Sequence, residues 1–312
     1  MSVLYYFCKP KICKSMSYII NMIFAILWLF ISLTTQAQSI NIANGKDITN
    51  GTLGNCFVAS WSSDGDYLLF SSLIDDNNSR LCFYDNVNDT VTCISEANYD
   101  FNNPIWHPDG RKIVFDSDKN GVEYLYTIDI ETKAIRPLFN RKIRCRNASF
   151  SASSRQVYFT GYDELADRWE IYSYDFIYDN LNKLTNYKLG CSNPEVSNNG
   201  KLIAYCKENP FNGTKNIDII NWYGEPTISF NEFDAELPKW SSSGFKLYFM
   251  SHKEIDKGEI YSIWKDGSHL ERLTNDLLET KDFSISPDET KIAVSVPTND
   301  ELDIYIIPIE EY

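Results

Sequence analysis

Three histidines, His107, His252 and His269, are the whole imidazole content of the 312-residue chain, so metal or general-base chemistry must start from them or from carboxylates. One acidic segment has ligand-like spacing: Asp116-Ser117-Asp118-Lys119-Asn120-Gly121 imitates the opening of a calcium loop. Such a loop needs a bidentate Glu at its twelfth position, where Thr127 stands. The segment therefore reads as a turn between strands. A transition-metal centre needs several convergent ligands, which three scattered histidines do not provide. No Gly-x-Ser-x-Gly occurs, which removes the serine nucleophile of the peptidase-type hydrolases. Neither metal nor cofactor is expected, and no residue is assigned as catalytic.

The elements that position any site begin after a distinct leader. Lys9, Lys11 and Lys14 precede an apolar run from Ile19 to Leu33, and TTQAQS follows, with Ala37 before Gln38. Basic, apolar and small residues in that order form a secretory signal. Residues 1–37 are expected to be that signal, with Met16 as a second candidate start, and residues 38–312 a single exported domain, periplasmic or secreted. The alternative is an uncleaved anchor, because the apolar run approaches the span of a bilayer. After cleavage no integral membrane span is expected, and no Cys follows the cut to carry a lipid. With 29 basic against 43 acidic residues the chain carries a net charge of −14, and loss of the leader removes three lysines more. Nucleic acid is thereby excluded as a partner and an anionic membrane surface disfavoured.

A repeat organises the rest. Trp61, Trp106, Phe150, Val196, Trp240 and Ile285 each precede a turn and are spaced by 45, 44, 46, 44 and 45 residues. Seven residues on stand Leu68, Ile113, Val157, Ile203, Leu247 and Ile292, and nine residues on stand Phe70, Phe115, Phe159, Tyr205, Phe249 and Val294. The turns between, such as SSDG, HPDG and SNNG, carry the residues of tight reversals, so each unit opens with a hairpin. A third strand begins at Leu81, Leu125, Ile171, Ile217, Ile260 and Ile304, and a fourth is marked by Ile94, Leu138, Leu184, Ile228 and Leu273. Sheets apolar on both faces must be covered by their neighbours. The expected fold is all-β: a six-bladed β-propeller of four-stranded antiparallel blades. The sixth unit stops after its third strand. The segment Lys46-Asp47-Ile48-Thr49-Asn50 resembles Glu271-Arg272-Leu273-Thr274-Asn275, so an N-terminal strand is expected to complete the last blade. The Trp anchors are expected to pack between blades.

Cys8 and Cys13 leave with the leader, and six cysteines remain in a compartment that permits disulfides. Cys82 and Cys93 are symmetric about a turn at Asn86 to Asp89 and are expected to bond across the third and fourth strands. Cys191 and Cys206 are symmetric about Asn198-Asn199, and a second bond is expected there unless a bulge shifts the register. Cys56, Cys145 and Cys191 share one repeat position and read as small buried residues rather than a thiol ring.

The segment WHPDGRKIVFDSDKNGVEYLYTID, with its HPDG turn and following LY strand, resembles the TolB-like, PD40 or WD40-like propeller family over about residues 46–308. The resemblance implies the bacterial cell envelope, and TolB itself binds envelope proteins through a propeller face. TolB carries an α/β domain before its propeller; few residues separate the expected cleavage from the closing strand here, so no such domain is expected. Propeller lyases acting on acidic sugars use metal and His at an equivalent face.

In a propeller, the loops leaving strands two and four converge on one face. The residues placed there are Asn102, Asn103, Arg146, Asn147, Asn193, Glu236, His252, Lys281 and Asp282. An amide-rich rim of mixed charge suits an envelope protein or peptide, with a glycan as the further ligand class. The leading expectation is a monomeric, non-catalytic binding module; the alternative is a carbohydrate-active propeller, either lyase or glycan binder, using His252 and rim acids.

Overall fold

A computed structural model describes residues 42–309 apart from 76–77, 97–98, 120, 210–212, 233, 253–257, 276–278 and 299–300; the expected signal lies outside them. Apart from a 3-10 turn at Ile42–Asn44, the elements are strands, arranged as six antiparallel four-stranded sheets. Five sheets use consecutive strands. The sixth places Lys46–Asp47 on the outer edge of Glu301–Pro308, with Lys46 opposite Ile306 and Asp47 opposite Tyr305. The expected six-bladed propeller and its closure are therefore observed.

Why six sheets make a ring follows from what they bury. Leu68, Ile113, Val157, Ile203, Leu247 and Ile292 are all fully buried, as are Phe70, Phe115, Phe159 and Val294. They sort into six apolar clusters, each spanning two neighbouring blades. One cluster joins Trp61, Leu68 and Phe70 of the first blade to Ala293, Ile304 and Ile306 of the last, so the ring has no open face. Both sides of each sheet are thus removed from water, at roughly 25 cal/mol per Å² of apolar surface.

Closure has its own polar chemistry. The Ile48 amide donates to the Ile304 carbonyl at 3.0 Å, as Leu184 does to Ile171 at 2.8 Å and Leu273 to Ile260 at 2.9 Å. The Thr49 hydroxyl accepts from the Ile304 amide at 3.0 Å and donates to Asp303 Oδ1 at 2.7 Å. Thr185 repeats this with the Ile171 amide and Glu170, and Thr274 with the Ile260 amide and Glu259. Those three carboxylates are buried, so the threonine is a required partner rather than decoration. Ile48 sits one residue farther from its anchor than Leu273 does, and the extra residue lies beyond the strand, leaving the pairing intact. Blade four differs: Phe230, not Ile228, faces Ile217, while Ile228 faces Ile219 beside a register shift.

The innermost strands are Asn55–Trp61, Asn102–Trp106, Cys145–Phe150, Cys191–Val196, Ala235–Trp240 and Asp282–Ile285, and the first five are bulged. In blades two to five the bulge holds a left-handed residue: Asn103 (φ 44°), Asn147 (52°), Asn193 (52°) and Leu237 (52°). Asn tolerates that conformation better than other side chains. Freed from the ladder, the Asn147 amide donates to Asp116 Oδ1 of the preceding blade at 3.1 Å, and the Asn193 amide to Thr160 Oγ1 at 3.1 Å. The bulges thereby stitch one blade to the next.

Register also decides the cysteines. Cys82 lies opposite Cys93 and the two are bonded, as expected. Cys191 lies opposite Lys207 and Cys206 opposite Ser192: Glu195 pairs with Ala204 and Val196 with Ile203, so the turn is centred one residue later than Asn198-Asn199, and the register shift between Ser192 and Glu195 recovers only part of that offset. The expected second disulfide is therefore overturned: the two thiols project from opposite faces into different inter-blade clusters, and both are free. Cys56, Cys145 and Cys191 are buried in three separate clusters. Burial pushes each of the four free thiols up to about 12.

Candidate functional site

The ring leaves a central channel lined by the innermost strands. At the end where these strands begin, Asn103, Asn147, Asn193, Leu237 and Asp282 surround a mouth cavity of about 70 Å³. The positions are spaced through the sequence by the repeat, and in blades two to five the bulges turn them inward. Deeper, Ile105, Ala148, Glu195 and Lys239 line both this cavity and a second one of about 260 Å³ at the opposite end. Trp61, Trp106 and Trp240 lie around that second cavity. Trp61 is buried as expected, but Trp106 and Trp240 are half-buried. Each still reaches the neighbouring blade: Trp106 Nε1 donates to the Ser60 carbonyl at 3.3 Å and Trp240 Nε1 to the Glu195 carbonyl at 2.9 Å.

Charge in the channel is held under desolvation. Burial pushes the Asp282 carboxyl up to about 6 and raises Glu195 as well, and in both cases Lys239 opposes the shift. Ser149 adds a weak hydroxyl contact to Glu195 at 3.5 Å. Neither Glu195 nor Lys239 stands out in the sequence, where both read as ordinary polar members of a strand. The visible signal was beside them: Asn-Pro at 103–104 and 193–194, a left-handed residue followed by a residue that cannot donate.

Outside the mouth, Asn102 and Lys281 are exposed, while Arg146, Glu236 and His252 are half-buried. Glu236 accepts from Lys215 and lies 3.3 Å from His252 Nε2. Lys215 and His252 together hold its carboxyl below the usual range despite burial, which by itself would raise it. Lys281 pairs with Glu279 at 2.9 Å. His107 packs edge-on against Phe150 at 5.0 Å, and His269 stacks on Trp264 at 4.3 Å, each in a turn of a different blade. Among the described residues no group of three or more His, Cys, Asp or Glu is placed to hold a metal ion. Asp116 of the calcium-like segment is buried against Asn103 and Asn147, and the Asp118 amide instead donates to Asp100 at 2.9 Å; Asn120 lies outside the described residues.

Beside the mouth lies a cationic and aromatic cluster that sequence reasoning reached only through Arg146. The Arg146 guanidinium sits 4.4 Å from the Trp169 ring centre, and Arg144 sits 4.5 Å from Tyr162 and 5.3 Å from Trp169. Tyr162 and Trp169 meet edge to face at 5.2 Å. Glu123 of the preceding blade approaches both cations, at 3.5 Å from Arg146 and 3.9 Å from Arg144.

The fold places the chain among known propellers. It is similar to the crystal structure of TolB from Acinetobacter baumannii, with 15% identity and a TM-score of 0.61 over 83% of this chain and 64% of that one. The chain therefore spans just under two thirds of that structure. It is also similar to a putative TolB from Agrobacterium tumefaciens, with 17% identity and a TM-score of 0.61 over 83% of this chain and 91% of that one. An oligogalacturonate lyase in complex with manganese matches at 14% identity and a TM-score of 0.58, over 82% and 91%. No curated protein matches the sequence. The PD40 family profile matches residues 43–284, so the chain belongs to the PD40 family, the TolB β-propeller domain.

Proposed function

We propose that this propeller is an exported, non-catalytic binding module of the periplasm or cell exterior that recognises an envelope protein or peptide through the mouth face. The observation that carries the reading is the convergence of Asn103, Asn147 and Asn193 at one opening, flanked by Arg146, Glu236 and His252. Side-chain amides donate and accept side by side, which suits the alternating groups of a peptide backbone. Rigid blades fix these groups before a partner arrives, limiting the ordering cost of association. Among the described residues no helix is long and apolar enough to cross a membrane.

The test is crosslinking capture from the producing cell's envelope with the mature chain beside a rim variant carrying Asn102→Arg, Glu236→Lys and Lys281→Glu. Capture of one protein by the native chain and its loss in the variant is the expected result. Equal capture by both sinks the mouth-face reading.

The likeness to an oligogalacturonate lyase favours a second reading, a carbohydrate-active propeller built on the His252–Glu236 pair. The described residues gather too few donors there for a metal centre. Turnover of acidic oligosaccharides in the presence of manganese, lost in His252→Ala, would replace the first reading with this one.

A further inference from the structure

Building on the reading of the mouth face as a partner-binding surface, we propose that Arg144, Arg146 and Trp169 form a carboxylate-recognition subsite, which the partner reaches with an acidic peptide segment. The basic residues are concentrated against the trend of the chain. Arg141, Lys142, Arg144 and Arg146 fall within six positions of a protein whose net charge is −14. Arg141 is engaged elsewhere, pairing with Asp179 at 2.8 Å, whereas Arg144 and Arg146 are held on the aromatic pair beside the mouth. Stacking fixes the guanidinium planes, so less side-chain freedom is lost when a carboxylate binds them.

The site is under-used as it stands. A well-formed guanidinium–carboxylate pair closes to about 2.7–2.9 Å. Glu123 stops at 3.5 Å from Arg146 and 3.9 Å from Arg144, touching both cations without a close bond to either. Arg146 Nε is buried without a hydrogen-bond partner. That nitrogen is closed to solvent, so a ligand carboxylate meets the guanidinium through its terminal nitrogens, which the distant Glu123 leaves without a close partner. Glu123 occupies the neighbourhood as an internal carboxylate that a better-placed external one displaces. Asp116, the other acid whose field reaches Arg146, is committed to Asn103 and the Asn147 amide.

Chemistry favours a peptide over a sugar acid. A guanidinium already lies over one face of each ring, and the rings meet edge to face, so the cluster offers charge and N–H donors rather than an open stacking platform. Asn147, the next residue along from Arg146, lines the mouth, where its side-chain amide can meet the main chain carrying the acidic side chain.

Fluorescence anisotropy with a labelled oligoglutamate peptide tests this, with oligoglutamine and an anionic oligosaccharide, oligogalacturonate, as the other probes. Oligoglutamate is expected to bind, oligoglutamine not, and added salt to weaken the binding. Arg144→Gln with Arg146→Gln should weaken it by about tenfold or more, the scale of hydrogen bonds to a charged group. Glu123→Gln should tighten it by removing the competitor, a gain that misfolding cannot imitate. Unchanged or weaker binding by Glu123→Gln, indifference to the arginine pair, or preference for oligogalacturonate overturns the proposal. The two readings separate in the capture experiment: a partner lost by the rim variant but kept by the arginine pair removes the subsite and leaves the face. Oligoglutamate binding without any captured protein removes the partner reading and leaves the subsite.

Discussion

Asp116 is 4% exposed between blades two and three, where desolvation outweighs the hydrogen bonds from Asn147 and Asn103 and pushes its carboxyl up from 3.8 to about 7. In the unfolded chain the group is ionised above about pH 4, whereas in the folded protein it keeps its proton to about 7. Across that interval the native state binds more protons than the unfolded one, so this residue's contribution to stability falls as pH rises and levels off above the folded value. Asp116→Asn should flatten that part of the pH profile, because an amide oxygen can still accept from both donors while carrying no charge. Thermal melts of the two proteins between about pH 4 and 8 measure it, and parallel profiles would contradict the assignment. The role of Asp116 was invisible from its neighbours in sequence, which imitate the opening of a calcium loop but read as a turn between strands. Its partners lie in its own blade's bulge and in the next blade.

Among the elements, the closing strand is short enough that Thr49, two residues past its end, matters. Thr49→Val keeps the shape but removes the hydroxyl that accepts the Ile304 amide and donates to buried Asp303. The expected cost is about 1–3 kcal/mol, seen as a lower urea midpoint at unchanged slope. An unaltered midpoint would mean that the last blade is closed by its apolar contacts alone. The third and fourth strands of blade one are joined by Cys82–Cys93, and reduction there should remove about 2–3 kcal/mol. Peptide mapping after thiol blocking under denaturing, non-reducing conditions should find that pair linked and Cys56, Cys145, Cys191 and Cys206 all alkylated. A Cys191–Cys206 peptide would refute the register. Both expected disulfides rested on the same symmetry argument. It succeeded where the turn is centred as its residues suggest, and failed in blade four, where the turn is centred one residue past Asn198-Asn199 and the bulge at Asn193 and Pro194 corrects the register only in part.

Over the whole molecule, carboxylates pull stability in two directions. Asp64, Asp129, Asp266 and Asp288 are held below the usual range, by the Ser62 hydroxyl, the Thr132 amide, the Ser268 hydroxyl and the Ser286 hydroxyl respectively. Their contribution is present above 3.8 and is lost as pH falls through their lowered values. Asp116 and Asp282, raised to about 7 and about 6, lose theirs as pH climbs towards those values. A net charge of −14 adds self-repulsion at neutral pH. The melting midpoint should therefore be higher near about pH 5 than near about pH 8, and the reverse order would show that the buried acids are not protonated in the fold. The ring itself was legible because its columns recur at nearly constant spacing. The channel was not, since Glu195 and Lys239 face a cavity that exists only once six strands surround it. That closure carries a kinetic consequence. Lys46–Asp47 is synthesised long before Glu301–Pro308, so its sheet partner does not yet exist when it is made. Until the two meet, the first blade's apolar flank and the last sheet's edge lack their cover. The pairing that completes the circle has the greatest sequence separation in the protein, which sets it late and slow among folding events.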